Sequence, residues 1–225
     1  MPKKKKITLQ KLKLADNREV LSSLRRIKIF IKKGEWLSQN NRYRKNTTNK
    51  IRIDTKNRTN KIRHNHMRDY IAISSVLHCF DGWIFLGKAL NSILNLDFNI
   101  AKHLIYYAEL RAGISILSSQ GIGIFNRTHI ILQSGKQSDY IDKIPTHDMT
   151  WKALEYWNSL RKSSYELLNI IRPGNKSLNE WLLTFGIDKY REQVGNKWLQ
   201  AWGLDLKNFP YDRKARNYLV IALHY

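Results

Sequence analysis

The residues best equipped for chemistry are cations. Arg42-Tyr43-Arg44-Lys45 places an aromatic ring between guanidinium groups. Guanidinium and ammonium groups contact phosphates, and an aromatic face stacks on a base. Lys3, Lys4, Lys5 and Lys6 form a basic run at the start of the chain. Arg25, Arg26 and Lys28 follow, and Arg52, Arg58 and Arg63 continue the series. In residues 1–69 there are 22 Lys and Arg against 5 Asp and Glu, a net of +17, out of +22 for all 225 residues. A charge of this size speaks to partners and not to fold. The candidate nucleic-acid-binding set is therefore Lys3, Lys4, Lys5, Lys6, Arg25, Arg26, Lys28, Arg42, Tyr43, Arg44, Lys45, Arg52, Arg58 and Arg63, for RNA or for DNA. The competing reading of this segment is a solubilising linker.

Other constellations are weaker. His64 and His66 alternate on a polar segment, but two or more further ligands would be needed for a metal. His78 and Cys79 are adjacent, so on a helix their side chains diverge and form no nucleophile dyad. His129, Asp139 and His147 could be assembled only by the fold. The chain has no HExxH zinc motif, no GxSxG elbow and no P-loop. One cysteine excludes an internal disulfide. No cofactor and no metal are expected, and no apolar run reaches the ~18 residues of a membrane span, so no membrane-spanning helix is expected.

The elements that must carry the cations follow from periodicity. Asp16 suits a helix N-cap, with Glu19 three positions on. Val20, Leu24, Ile27 and Ile31 fall on one stripe, and Gly34 is a C-terminal stop. Residues 35–69 are polar and basic, and read as an extended arm that orders on nucleic acid or on a partner. From residue 70 the composition is that of a globular domain. Apolar residues recur at helical spacing from Ile73 to Leu94, with Gly82 and Gly87 as close-packing points. His103, Leu104, Tyr107, Leu110, Ile114 and Leu117 mark the next helix, which Gly121 ends. Ser177-Leu178-Asn179-Glu180 is a capping box. Ile51, Ile53 and their neighbours suit a short hairpin and Ile130–Leu132 a short strand, but nothing demands a sheet. The tryptophans, Trp157 and Trp202 included, read as core or interface anchors ahead of stacking platforms. The expectation is an all-α chain: a basic, partly extended N-terminal arm over 1–69 with one amphipathic helix, then a helical domain over 70–225.

His103-Leu104-Ile105-Tyr106-Tyr107-Ala108-Glu109-Leu110-Arg111-Ala112, Gly121-Ile122-Gly123-Ile124-Phe125-Asn126, Leu154-Glu155-Tyr156-Trp157, Trp202-Gly203-Leu204-Asp205-Leu206 and Ala215-Arg216-Asn217 resemble, in that order, a family of uncharacterised bacterial proteins. The Tyr-Tyr-Ala helix, the glycine turn with His129 and the late arginine also resemble HEPN domains. That second resemblance implies an HEPN-like helical bundle, often dimeric and associated with RNA cleavage. The same resemblance implies a site at Arg216, Asn217 and His224, with His224 as acid or base and Arg216 stabilising phosphate charge. Eight helical steps between Arg216 and His224 separate their backbones by ~12 Å, so they converge poorly within one helix. Three readings stand: a non-catalytic nucleic-acid-binding subunit of a larger bacterial complex, such as one in antiviral defence; a metal-independent ribonuclease; and a protein adaptor. The expected protein is cytoplasmic, a homodimer or complex subunit, and not bound to a membrane.

Overall fold

A computed structural model describes residues 10–32, 34–56, 62–142, 144–187, 193–198 and 200–201. The chain is mostly helical with one small antiparallel sheet, in two compact units, Met1–Thr150 and Trp151–Tyr225.

The first unit begins with α1 (Asn17–Lys32). The Asp16 carboxylate accepts the Arg18 amide hydrogen at 3.0 Å, which satisfies one of the donors a helix start leaves open. Val20 and Ile27 are buried and Leu24 packs beside them, as the stripe predicts. Gly34 follows the helix at φ 71°. The segment after it is not an extended arm. Leu37 and Tyr43 are fully buried, and α2 (Thr47–Lys56) is a ten-residue helix with Ile51 and Asp54 inside. The extended reading fails because a few apolar residues in a polar stretch suffice when the polar ones supply each other's hydrogen bonds. Asn41 shows this, its side-chain amide donating to the His66 carbonyl while its oxygen accepts from the Tyr43 amide.

α3 (His64–Leu94) and α4 (Phe98–Ser119) form a long antiparallel hairpin. The composition step between residues 69 and 70 falls inside α3. Asp97 caps α4 through the Ile100 amide. Gly82 lies where a Cβ would meet the Ala108 carbonyl at 3.4 Å, so the two helices approach closely there. Gly87, by contrast, faces open space.

The sheet corrects the purely helical expectation. β1 (Ile122–Gly123), β2 (Thr128–Gln133) and β3 (Gln137–Asp142) pair in that order, with Ile122 opposite Ile131 and Ile130 opposite Tyr140. Thr-His-Ile-Ile-Leu-Gln is rich in β-branched residues, and Ser134-Gly135-Lys136 is a three-residue hairpin loop with Gly135 and Lys136 at positive φ. β2 is central, and its Ile130, Ile131 and Leu132 are buried. Gly121 turns the chain from α4 into β1 at φ 84°, against the Asp16 backbone, where any Cβ would lie 2.9 Å from the Asp16 oxygen. Val20, Ile27, Leu37, Tyr43, Ile51, Met67, Ile71, Ile130 and Leu132 make one core.

The second unit holds the rest of α5 (Thr146–Asn158), α6 (Arg161–Ile170) and α7 (Leu178–Thr184). Ala153, Leu154, Trp157 and Leu168 are buried. The Trp157 indole donates to Glu166 at 3.0 Å, so it is a core anchor and not a stacking platform. Ser177 and Glu180 form the capping box read from the sequence. Glu180 accepts the Ser177 amide, and this bond holds its carboxyl below the usual range.

Candidate nucleic-acid interface

The basic segment divides into cations that the fold consumes and cations that it presents. Arg42 belongs to the first group. Its Nε and Nη2 donate to Asp54 Oδ2 and Oδ1 at 2.8 and 2.6 Å. The Tyr43 hydroxyl donates to Asp54 Oδ2 at 2.8 Å and accepts the Arg63 amide at 3.1 Å. Burial alone would raise the Asp54 carboxyl, but the bonds from Arg42 and Tyr43 outweigh it and hold the group below its ordinary value. Burial, reinforced by the Asp54 bond, pushes the Tyr43 phenol up. Tyr43 therefore offers no face to a base. Arg44 donates to the Leu37 carbonyl at 3.0 Å and lies 3.9 Å from Glu35. Arg26 pairs with Asp69 at 2.6 Å. Lys11 pairs with Asp139 at 3.0 Å.

The second group surrounds a cavity of about 500 Å³, lined by Arg52, Thr55, Lys56, Asn126, Arg127, Thr128 and Tyr140. Arg52, Thr55 and Lys56 stand at i, i+3 and i+4 on α2, the spacing that puts side chains on one helical face. Asn126 and Arg127 come from the β1–β2 loop, Thr128 from the start of β2, and Tyr140 from β3. Among the described residues, no carboxylate pairs with Arg52, Lys56 or Arg127.

The loop is pinned from both sides. His129, fully buried, accepts the Phe125 amide on Nδ1 at 3.2 Å and contacts the Ile144 carbonyl through Nε2 at 2.8 Å. Those two bonds require the neutral imidazole with its proton on Nε2. Thr146 Oγ1 donates to the Phe125 carbonyl at 3.1 Å. Arg127 itself stands at φ 63°, a left-handed conformation that costs a non-glycine residue roughly 1 kcal/mol and is held by such pins. Lys11 lies 5.4 Å over the Tyr140 ring. The lining supplies two guanidinium groups, one ammonium, two threonine hydroxyls, a carboxamide and a phenol ring. Among the described residues the lining contains no histidine and no carboxylate. Guanidinium and ammonium groups attract anions.

Of the residues expected from sequence, Arg52 is in this cavity. Arg25, Lys45 and Arg63 are exposed elsewhere on the first unit, and Lys28 lies on α1. Arg26, Arg42 and Arg44 are paired as above, and Tyr43 is buried. Lys3, Lys4, Lys5, Lys6, Arg58, Arg216, Asn217 and His224 lie outside the described residues. Sequence reasoning missed Thr55, Lys56, Asn126, Arg127, Thr128 and Tyr140. The first two were detectable as a helical i, i+3, i+4 set with Arg52; the others needed the sheet. Among the described residues no group of three His, Cys, Asp or Glu side chains could hold a metal ion. One described helix, α3, is long and apolar enough by composition to cross a membrane, although polar residues interrupt it; a mean hydropathy of 1.3 tolerates interruptions that an unbroken-run criterion does not. Compared with protein-family models, with curated proteins and with solved structures, the chain matches none.

Proposed function

We propose that this protein binds nucleic acid through the α2–β1–β2–β3 cavity, as a binding subunit without catalysis of its own. The observation that carries the reading is the convergence of Arg52, Lys56 and Arg127 on one cavity, none of them ion-paired with a carboxylate among the described residues, in a chain of net charge +22. Guanidinium forks suit phosphate oxygens, and the Thr128 hydroxyl and Asn126 extend the donor set. Tyr140, partly exposed at the rim, is the aromatic that the sequence reading had sought in Tyr43. The +17 segment supplies a wider attractive field around this point.

Fluorescence anisotropy with the full chain tests the reading, using a labelled 20-nucleotide RNA and a DNA duplex across a salt series. Binding is expected to weaken steeply with salt, and the combined Arg52→Ala, Lys56→Ala and Arg127→Ala variant is expected to reduce the log–log slope by about 2–3. Absent binding, salt-independent binding, or a triple variant that binds like the parent would reject it. Gel analysis of the RNA after incubation is the arm that addresses cleavage. Shortened RNA that survives in the triple variant and disappears with Arg216→Ala would favour the ribonuclease reading of Arg216, Asn217 and His224.

A further inference from the structure

The outward face of α3 carries a pattern that the core does not use. Leu77, Phe80, Ile84, Gly87, Asn91 and Leu94 follow one another at spacings of three, four, three, four and three. That is a heptad seam, with Leu77, Ile84 and Asn91 at a and Phe80, Gly87 and Leu94 at d. The buried residues of this helix, such as Ile71, Gly82 and Ala89, lie on a different face, toward the core and α4. The seam itself is bare: Phe80, Ile84 and Leu94 are exposed, Leu94 at 82%. Trp83, 68% exposed, and Leu90 flank it at the g positions. Leu96, Phe98 and Ile100 extend the apolar surface around the hairpin tip. Together these side chains expose on the order of 1,000 Å², above the ~300–600 Å² of the largest patch on an ordinary monomer. A standard interface needs ~800 Å² from each partner.

We infer that this seam pairs with a second copy of the chain, α3 against α3 in antiparallel orientation about a two-fold axis passing between Ile84 and Gly87. An antiparallel pair brings each a position opposite a d position of the other helix. In that register Ile84 faces Gly87 of the second copy, Phe80 faces Asn91, and Leu77 faces Leu94. Ile84 and Phe80 each meet a smaller residue, Leu77 packs on Leu94, and the open space over Gly87 receives the Ile84 knob. A parallel pair would set Gly87 against Gly87 and Phe80 against Phe80, a hole beside a clash. The flanks agree. Asp81 and Lys88, both at e, face each other across the two-fold, while Trp83 meets Leu90 at g. A bilayer fits less well as occupant, because Lys88, Asp97 and Lys102 are exposed along the same hairpin and each would have to enter hydrocarbon.

The test uses the full chain, nuclease-treated and in high salt, so that bridging by nucleic acid is removed and the result is independent of the cavity's function. Sedimentation equilibrium is expected to give twice the chain mass at micromolar concentration. Ile84→Glu, a change at an exposed position, is expected to raise the dissociation constant at least 100-fold with an unchanged circular dichroism spectrum. Orientation is read by cross-linking in a Cys79→Ser background. A mixture of Leu77→Cys and Leu94→Cys chains should form a disulfide, and Leu94→Cys alone should not. Cross-links from Leu94→Cys alone, a monomeric parent, or a dimer indifferent to Ile84→Glu would each overturn the inference. So would a monomer that floats with phosphatidylcholine–phosphatidylglycerol vesicles through Trp83 and Ile84.

Discussion

Helix α2 has two faces with opposite fates for charge. One turns Ile51 and Asp54 inward, where Asp54 collects Arg42 and Tyr43. The other turns Arg52, Thr55 and Lys56 toward the cavity, with no acid among the described residues to meet them. Both faces come from the same polar, basic stretch. The first is a structural knot in which the cation stabilises the fold; the second leaves its cations for an external anion. What separates them is the placement of one carboxylate, not the density of positive charge.

Removing that carboxylate should produce the largest effect. Asp54→Ala strands the buried Tyr43 hydroxyl and the Arg42 fork, and losing one member of a buried pair costs about 3–4 kcal/mol. Urea denaturation should show the unfolding free energy falling by that amount, with the cavity's affinity retained in the folded fraction. The same carboxyl titrates below its ordinary value in the folded chain. Its stabilising contribution is therefore complete above the unfolded pKa of about 3.8 and fades as pH falls through the lower folded pKa. Asp54→Asn should remove that part of the acid limb. An unchanged acid limb would mean that the knot is not the source.

A third environment sharpens the contrast. Arg111 donates to His78 Nδ1 at 3.0 Å, so here a cation rests on a neutral imidazole, with Asp81 only 3.7 Å from its Nε. Burial, and then the Arg111 charge, push the His78 pKa down to about 4. The unfolded chain binds this proton near pH 6.5, so between pH 6.5 and 4 it holds more protons than the folded one. Stability should therefore decline as pH falls across that window, by at most about 3 kcal/mol. Thermal unfolding at pH 7 and pH 5 measures it, and His78→Gln should flatten the difference. An equal decline in that variant would assign the effect to other groups.

These environments explain what the sequence could and could not reveal. α1 was legible because Asp16, the Val20–Leu24–Ile27 stripe and Gly34 agree with one another. α2 was not, since its apolar content is two isoleucines and its stability comes from the Asp54 knot, a contact with residues 11 and 12 positions away. The sheet was half legible: Ile130–Leu132 suggested a strand, but its partners are a two-residue β1 and a polar β3. α3 posed a different difficulty. It is apolar on nearly every face, so its existence was plain while its inward side was hidden. Gly82 and Gly87 looked equivalent in sequence, yet one touches Ala108 and the other touches nothing. The cavity drew on the first two, α2 and the sheet, which is why only Arg52 among its residues was anticipated.

The smallest stability change and the sharpest test of the comparison come from the two arginines ten residues apart. Arg52→Ala removes an exposed side chain with no pair among the described residues, so the unfolding free energy should change by no more than about 0.5 kcal/mol. Its effect should appear in binding, where loss of one phosphate contact lowers the salt slope by about 0.7–0.9. Arg42→Ala should do the reverse. It leaves Asp54 buried with Tyr43 alone, so stability falls, while the salt slope of the folded protein stays that of the parent because Arg42 is already neutralised. Measuring both quantities for both variants separates structural from presented charge within one segment. If Arg42→Ala lowered the slope as much as Arg52→Ala, the Asp54 knot would have to open on binding, and the two faces of α2 would act as one surface.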